Sequence, residues 1–230
     1  MKPCAFIKHL LMLMGAVALL VSSSCESSGP SEKRGAAEDE IDDLGNGVIV
    51  AMGDSLTAGL GVAPSDSYPA QLERLLVDRG LKYKVINAGI SGETSSGARA
   101  RIDWVLKLNP DIVILETGAN DGLRGIDPTL VEKNIEEIVL RLKQEEVTVV
   151  LAGMMMVTNL GKTYVTAFND LYPRLARRHQ LVFMPFFLQD VATDTAKNQE
   201  DGIHPNRAGS EIKAANLLPY VEQAIKLNSP

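Results

Sequence analysis

Five short apolar runs, each closed by a residue that ends strands, constrain this chain more than any other feature. Run 48–52 stops at Gly53, run 83–86 at Asn87-Ala88-Gly89, and run 112–115 near Gly118. Run 147–151 stops at Gly153 and run 181–184 at Pro185. All five are apolar on both faces, as strands are when helices cover them above and below. Helical spacing fills the intervals. Pro69 opens one helix, with Leu72, Leu75 and Leu76 on one face and Gly80 as its stop. A second is expected over 98–108, halted by Pro110, with Trp104 in the core. Asp127 and Pro128 cap a third, whose inward positions are Val131, Ile135, Ile138 and Leu142. A fourth is expected over 164–177, with Phe168, Leu171 and Leu175 inward. A fifth is expected over 208–227, bent or interrupted by Pro219. Strand and helix alternating five times imply a parallel sheet with right-handed crossovers. The economical architecture is one three-layer α/β/α domain over 47–230.

The first 46 residues are of another kind. Lys2 and Lys8 precede an unbroken apolar run over 10–21, too short to span a bilayer, which takes ~20 residues. Ser22, Ser23, Ser24 and Cys25 follow, so 1–24 reads as a secretory signal peptide. Residues 25–46 are rich in Ser, Gly and charge and poor in apolar groups, and are expected to form a flexible acidic tether. The formal net charge of −6 leaves no bulk basic footprint for nucleic acid. The only cysteines are Cys4 and Cys25, which excludes a disulfide framework or a cysteine-ligated zinc site in the body.

In a parallel α/β sheet, ligands bind beyond the carboxyl ends of the strands, and there the polar signals fall. Gly53-Asp54-Ser55 follows the first strand. Asp54 or Ser55 could merely cap the next helix. Alternatively Ser55 is a nucleophile on a strand-to-helix turn, where a helix N-terminus favours developing negative charge. The Gly-x-Ser-x-Gly elbow is absent, which argues against an α/β-hydrolase. Of two candidate bases, His179 sits at the polar end of a helix and reads as a solvated cation. His204 lies in a turn-rich loop with Asp201 three residues before it, so one turn brings carboxylate to imidazole. Gly89 after the second strand and Asn120 after the third could be simple turn residues. They could also join the Ser55 N–H as oxyanion donors. Met154, Met155 and Met156 after the fourth strand read either as core or as an adaptable pocket wall. Gly161-Lys162-Thr163 lacks the upstream glycine of a phosphate-binding loop.

Together these blocks resemble the GDSL, or SGNH, hydrolases, named for residues matched here by Ser55, Gly89, Asn120 and His204. The likeness is closest to the bacterial branch of multifunctional thioesterases, lysophospholipases and arylesterases. It is carried by GDSLTAGLG, NAGISGETSSG, ETGANDGLRG, FNDLYPRLA, PFFL and DGIHPN. The resemblance implies a flavodoxin-like five-stranded sheet of order 2-1-3-4-5 and an esterase without metal or cofactor. It implies Ser55 as nucleophile, Asp201 and His204 as its partners, and Ser55, Gly89 and Asn120 as the oxyanion hole.

The expected protein is an exported, monomeric serine esterase acting on small-molecule or lipid esters and thioesters. Its expected membrane contact is limited to an N-terminal lipid. The alternatives are a carbohydrate O-deacetylase on the same scaffold and a catalytically idle binding lipoprotein. The N-terminus resembles a bacterial lipoprotein signal, which implies lipidation at Cys25; plain cleavage nearby is the alternative. If Cys25 carries lipid, the mature protein partitions into detergent and Cys25→Ser moves it to the aqueous phase. A wild-type protein wholly in the aqueous phase contradicts lipidation.

Overall fold

The computed structural model describes residues 45–156 and 158–228. The signal segment, Cys25 and nearly all of the acidic tether lie outside the described residues. In chain order the elements are β1 (Gly47–Gly53), α1 (Ser55–Ala58), α2 (Tyr68–Asp78), β2 (Tyr83–Gly89), α3 (Ser95–Ala100) and α4 (Ile102–Leu106). They continue with β3 (Ile112–Glu116), α5 (Ala119–Leu123), α6 (Pro128–Gln144), β4 (Thr148–Ala152), α7 (Lys162–His179), β5 (Val182–Met184) and α8 (Arg207–Asn228).

The five strands form one sheet of order β2-β1-β3-β4-β5, with every neighbouring pair parallel. The central strands are the most buried: Ile49 to Met52 and Ile112 to Leu115 are all inaccessible to solvent. Helices α2 and α8 cover one face; α6 lies on the other between α3/α4 and α7. The register lines up the carboxyl ends, with Gly53 opposite Gly89, Met52 opposite Leu115 and Glu116 opposite Ala152. Chain direction across the sheet reverses between β1 and β3, and a crevice opens at such a switch point.

Local signals hold where packing agrees with them. The Asp127 side chain accepts the Thr129 N–H at 2.8 Å, and Pro128 begins α6 as expected. Val131, Ile135, Ile138 and Leu142 are fully buried along it. Three expectations are corrected. The helix expected over 98–108 is two short helices, α3 and α4, hinged at Arg101, whose backbone leaves the helical region. The Arg101 guanidinium is drawn to Glu93 through two 2.6 Å hydrogen bonds. Trp104, expected in the core, is 49% exposed and lies 6.0 Å from the Arg101 guanidinium. Pro219 does not interrupt α8, which runs unbroken from Arg207 to Asn228. Buried Leu217, Leu218 and Val221 flank the proline, and their packing outweighs the ~3 kcal/mol local cost.

Phe168 and Trp104 should respond differently to truncation. Phe168 is fully buried between Tyr164 and Tyr172, so Phe168→Ala should cost about 3–5 kcal/mol in urea unfolding. Trp104→Ala should cost about 1 kcal/mol or less, the size of an exposed cation–π contact.

Candidate active site

Ser55 is the first residue of α1, directly after the β1 end. Asp54 caps that turn, its Oδ1 accepting the Leu56 N–H at 2.9 Å. Both capping and exposure of the serine hydroxyl are therefore realised, by neighbouring residues. Ser55 Oγ lies 2.9 Å from His204 Nε2. His204 Nδ1 lies 2.7 Å from Asp201 Oδ2. The other Asp201 oxygen accepts the backbone N–H groups of Ile203 at 2.9 Å and His204 at 3.0 Å. These bonds, first those from His204, lower the Asp201 carboxyl to about 2. It is therefore ionised at neutral pH and can only accept. Nδ1 must donate, which leaves Nε2 to accept the serine proton.

The loop carrying this pair is tied to the nucleophile side of the site. Gln199 N–H donates to the His204 carbonyl at 2.8 Å. The Gln199 side-chain amide donates to the carbonyls of Leu60 at 2.7 Å and Pro205 at 3.0 Å. Gln199 thus joins the segment after α1 to the histidine loop.

Asn120, on α5 after β3, donates one amide hydrogen to Asp54 Oδ2 at 2.9 Å. Its second amide hydrogen has no partner among the described residues. Behind it, buried Asp121 accepts the Ser95 N–H at 2.7 Å and the Ser95 hydroxyl at 2.6 Å, tying α3 to α5. Gly89 differs from expectation: its N–H donates to Asn87 Oδ1 at 3.0 Å. A side chain at Gly89 would strike the Ala58 backbone, so this glycine allows β2 to approach α1 closely. Gly92, farther along the same loop at φ +79°, has an N–H with no partner among the described residues. The Ser55 N–H is also free among them. His179, expected as a solvated cation, has its Nε2 2.8 Å from Glu136 Oε1, and its side chain is only 13% exposed.

Two buried acids underlie the Ser55 turn. Glu116 Oε2 accepts the Asp54 N–H at 3.1 Å and the Thr57 hydroxyl at 2.9 Å. Burial, and then the Asp54 charge, push Glu116 up to about 8, which favours its neutral form. Burial also raises Asp54 above its ordinary value; the Leu56 N–H, the Lys213 charge and the Asn120 amide oppose that rise. Sequence reading missed Glu116, although a carboxylate ending an apolar strand is a visible signal.

Ser55, Asn120 and His204 open on a cleft of about 260 Å³. Its apolar wall includes Leu123, Met154, Met155, Met156, Phe186 and Ile203. Met154 is buried and Met155 half-exposed, so the three methionines divide between floor and rim. Among the described residues, no three His, Cys, Asp or Glu side chains converge as a metal would require.

Asp201→Asn should leave the protein folded and lower kcat by about 10²–10³-fold in steady-state ester hydrolysis. The expected loss is smaller than the ~10⁴-fold seen for a buried triad aspartate, because half of this side chain faces water. The native aspartate adds stability above its ordinary range and loses that contribution as the pH falls through about 2.

The sequence profile of the GDSL-like Lipase/Acylhydrolase family matches residues 51–212. The chain is 36% identical to Esterase TesA of Pseudomonas aeruginosa over 175 residues, covering 76% of this chain and 87% of that protein. It is 38% identical to the thioesterase 1/protease 1/lysophospholipase L1 of Escherichia coli K12 over 179 residues, covering 75% and 84%. In three dimensions it is similar to AlinE4, an SGNH-hydrolase family esterase, with a TM-score of 0.66 and 38% identity over 77% of this chain and 95% of that one. With the parallel sheet order and the Ser55–His204 contact already in place, these matches mean that the chain belongs to the GDSL-like lipase/acylhydrolase family and is an ester hydrolase.

Proposed function

We propose that this protein hydrolyses carboxylic esters and thioesters through an acyl-enzyme formed on Ser55. One observation carries the reading: Ser55 Oγ, His204 Nε2 and Asp201 form an unbroken hydrogen-bonded relay at the mouth of an apolar cleft. The Ser55 oxygen bonds to the substrate carbonyl carbon while its proton passes to His204 Nε2. The ionised Asp201 steadies the imidazolium that results. The carbonyl oxygen becomes an oxyanion and accepts from the Ser55 N–H and the free Asn120 amide hydrogen. The Gly92 N–H is the third donor in this reading, since the Gly89 N–H is already engaged. Collapse breaks the bond to the leaving alcohol or thiol, which takes the proton from His204. Water then attacks the acyl carbon, gives its proton to His204, and Ser55 recovers it as the acid departs.

The apolar wall favours an acyl chain over a sugar. Methionine has three rotatable bonds and a polarizable sulfur, so Met154, Met155 and Met156 suit short to medium chains of differing shape. The relatives named an esterase and a thioesterase/lysophospholipase support esters, thioesters and lysolipids as substrates. The apolar run over 10–21 and Cys25 support action outside the cytoplasm, on a lipid anchor.

Ser55→Ala should abolish both ester turnover and covalent labelling by a fluorophosphonate while the circular dichroism spectrum stays native. Full labelling of this variant overturns the nucleophile assignment. Asn120→Ala should lower kcat by ~10²–10³-fold with little change in KM, as expected for a donor that strengthens in the transition state.

A further inference from the structure

Beneath the Ser55 turn, three ionisable side chains from distant parts of the chain are buried together: Asp54, Glu116 and Lys213. Lys213 projects from α8. Its Nζ donates to the Leu56 carbonyl at 2.7 Å. It also lies 5.0 Å from the Tyr68 ring centroid and 4.8 Å from that of Phe187. These rings meet edge-on, with centroids 5.2 Å apart. One hydrogen bond and two aromatic faces thus replace the water an ammonium would otherwise hold.

A buried ion rarely stabilises a fold more than an apolar residue of the same size. The ammonium supplies direction instead. Helix α1 has four residues, too few to hold itself, and its later carbonyls lack helical partners. Lys213 takes one of them, directly after Ser55. Its charge also favours the ionised form of Asp54, the carboxylate that orients Asn120.

We propose that Lys213 is a positioning residue for ester hydrolysis: its ammonium fixes the Leu56 carbonyl and, through Asp54, Asn120, so that nucleophile and oxyanion donor are presented together. The proposal rests on the roles assigned above to Ser55 and Asn120. The ionisable groups facing Lys213 are Asp54 at the β1 end, Glu116 at the β3 end and the Tyr68 phenol on α2. Burial raises the Tyr68 phenol further above its ordinary value. Burial lowers Lys213 to about 8, against the attraction of Glu116 and Asp54. The ammonium is therefore present below that pH and lost above it.

The test measures kcat, KM and the rate of fluorophosphonate labelling at Ser55 for wild type and Lys213→Met. It runs from about pH 6 to about pH 10, spanning the shifted lysine value of about 8. Methionine keeps an unbranched chain without the charge, and a thermal melt checks that the variant is folded. At pH 7 the variant should lose on the order of 10–10²-fold in kcat, the size of a small misplacement of reacting groups, with KM nearly unchanged. Wild-type kcat should fall as pH rises through about 8, and the gap between wild type and variant should close there; Glu116, pushed to about the same value, remains in the variant, so the closing gap reports Lys213. A folded Lys213→Met enzyme with wild-type kcat and labelling rate overturns the proposal and leaves the nucleophile reading standing. A wild-type profile flat above pH 8 overturns it even if the variant fails to fold. Absence of labelling at Ser55 in the wild type overturns both.

Discussion

One carboxylate joins the two strand ends between which the site lies. Asp54 uses one oxygen to cap the turn bearing Ser55 and the other to hold Asn120, which stands beyond the neighbouring strand. The sheet makes this bond possible by bringing the ends of β1 and β3 side by side at the switch point. The bond holds the Asn120 amide beside the Ser55 turn. Asp54 is buried, and burial raises its carboxyl above the ordinary value by disfavouring the charge. The Leu56 N–H, the Lys213 charge, the Asn120 amide and Glu116 oppose that rise without cancelling it.

The fold was legible because its signals are local and agree with packing. Apolar runs flanked by turn residues mark the strands, and Asp127 with Pro128 marks where α6 begins. Each element also buries the face its spacing defines. The expectations that failed share a cause. Arg101 breaks a helix because a glutamate eight residues earlier captures its guanidinium. Trp104 then turns to the surface beside it. Nothing in the spacing of apolar residues registers such a contact.

The site was legible in outline for a similar reason. Asp201 and His204 belong to one turn, and their spacing alone brings carboxylate to imidazole. Ser55 and Asn120 could be placed because strand ends in a parallel sheet point to one edge. The Gly89 N–H was misjudged because its acceptor, Asn87, also reads as an ordinary turn residue. Glu116 and Lys213 are separated along the chain and surrounded by apolar neighbours, so only the folded structure shows that both lie under Ser55.

The relay joins residues 149 positions apart in the sequence. A ribosome therefore makes Ser55 long before it makes His204. Throughout that interval the chain holds Ser55 without the imidazole it meets in the fold. The Ser55–His204 contact exists only once the histidine loop, tied by Gln199 to the Leu60 carbonyl, has packed on the finished sheet. Synthesis of Ser55 and completion of the relay it joins are thus separated by folding itself.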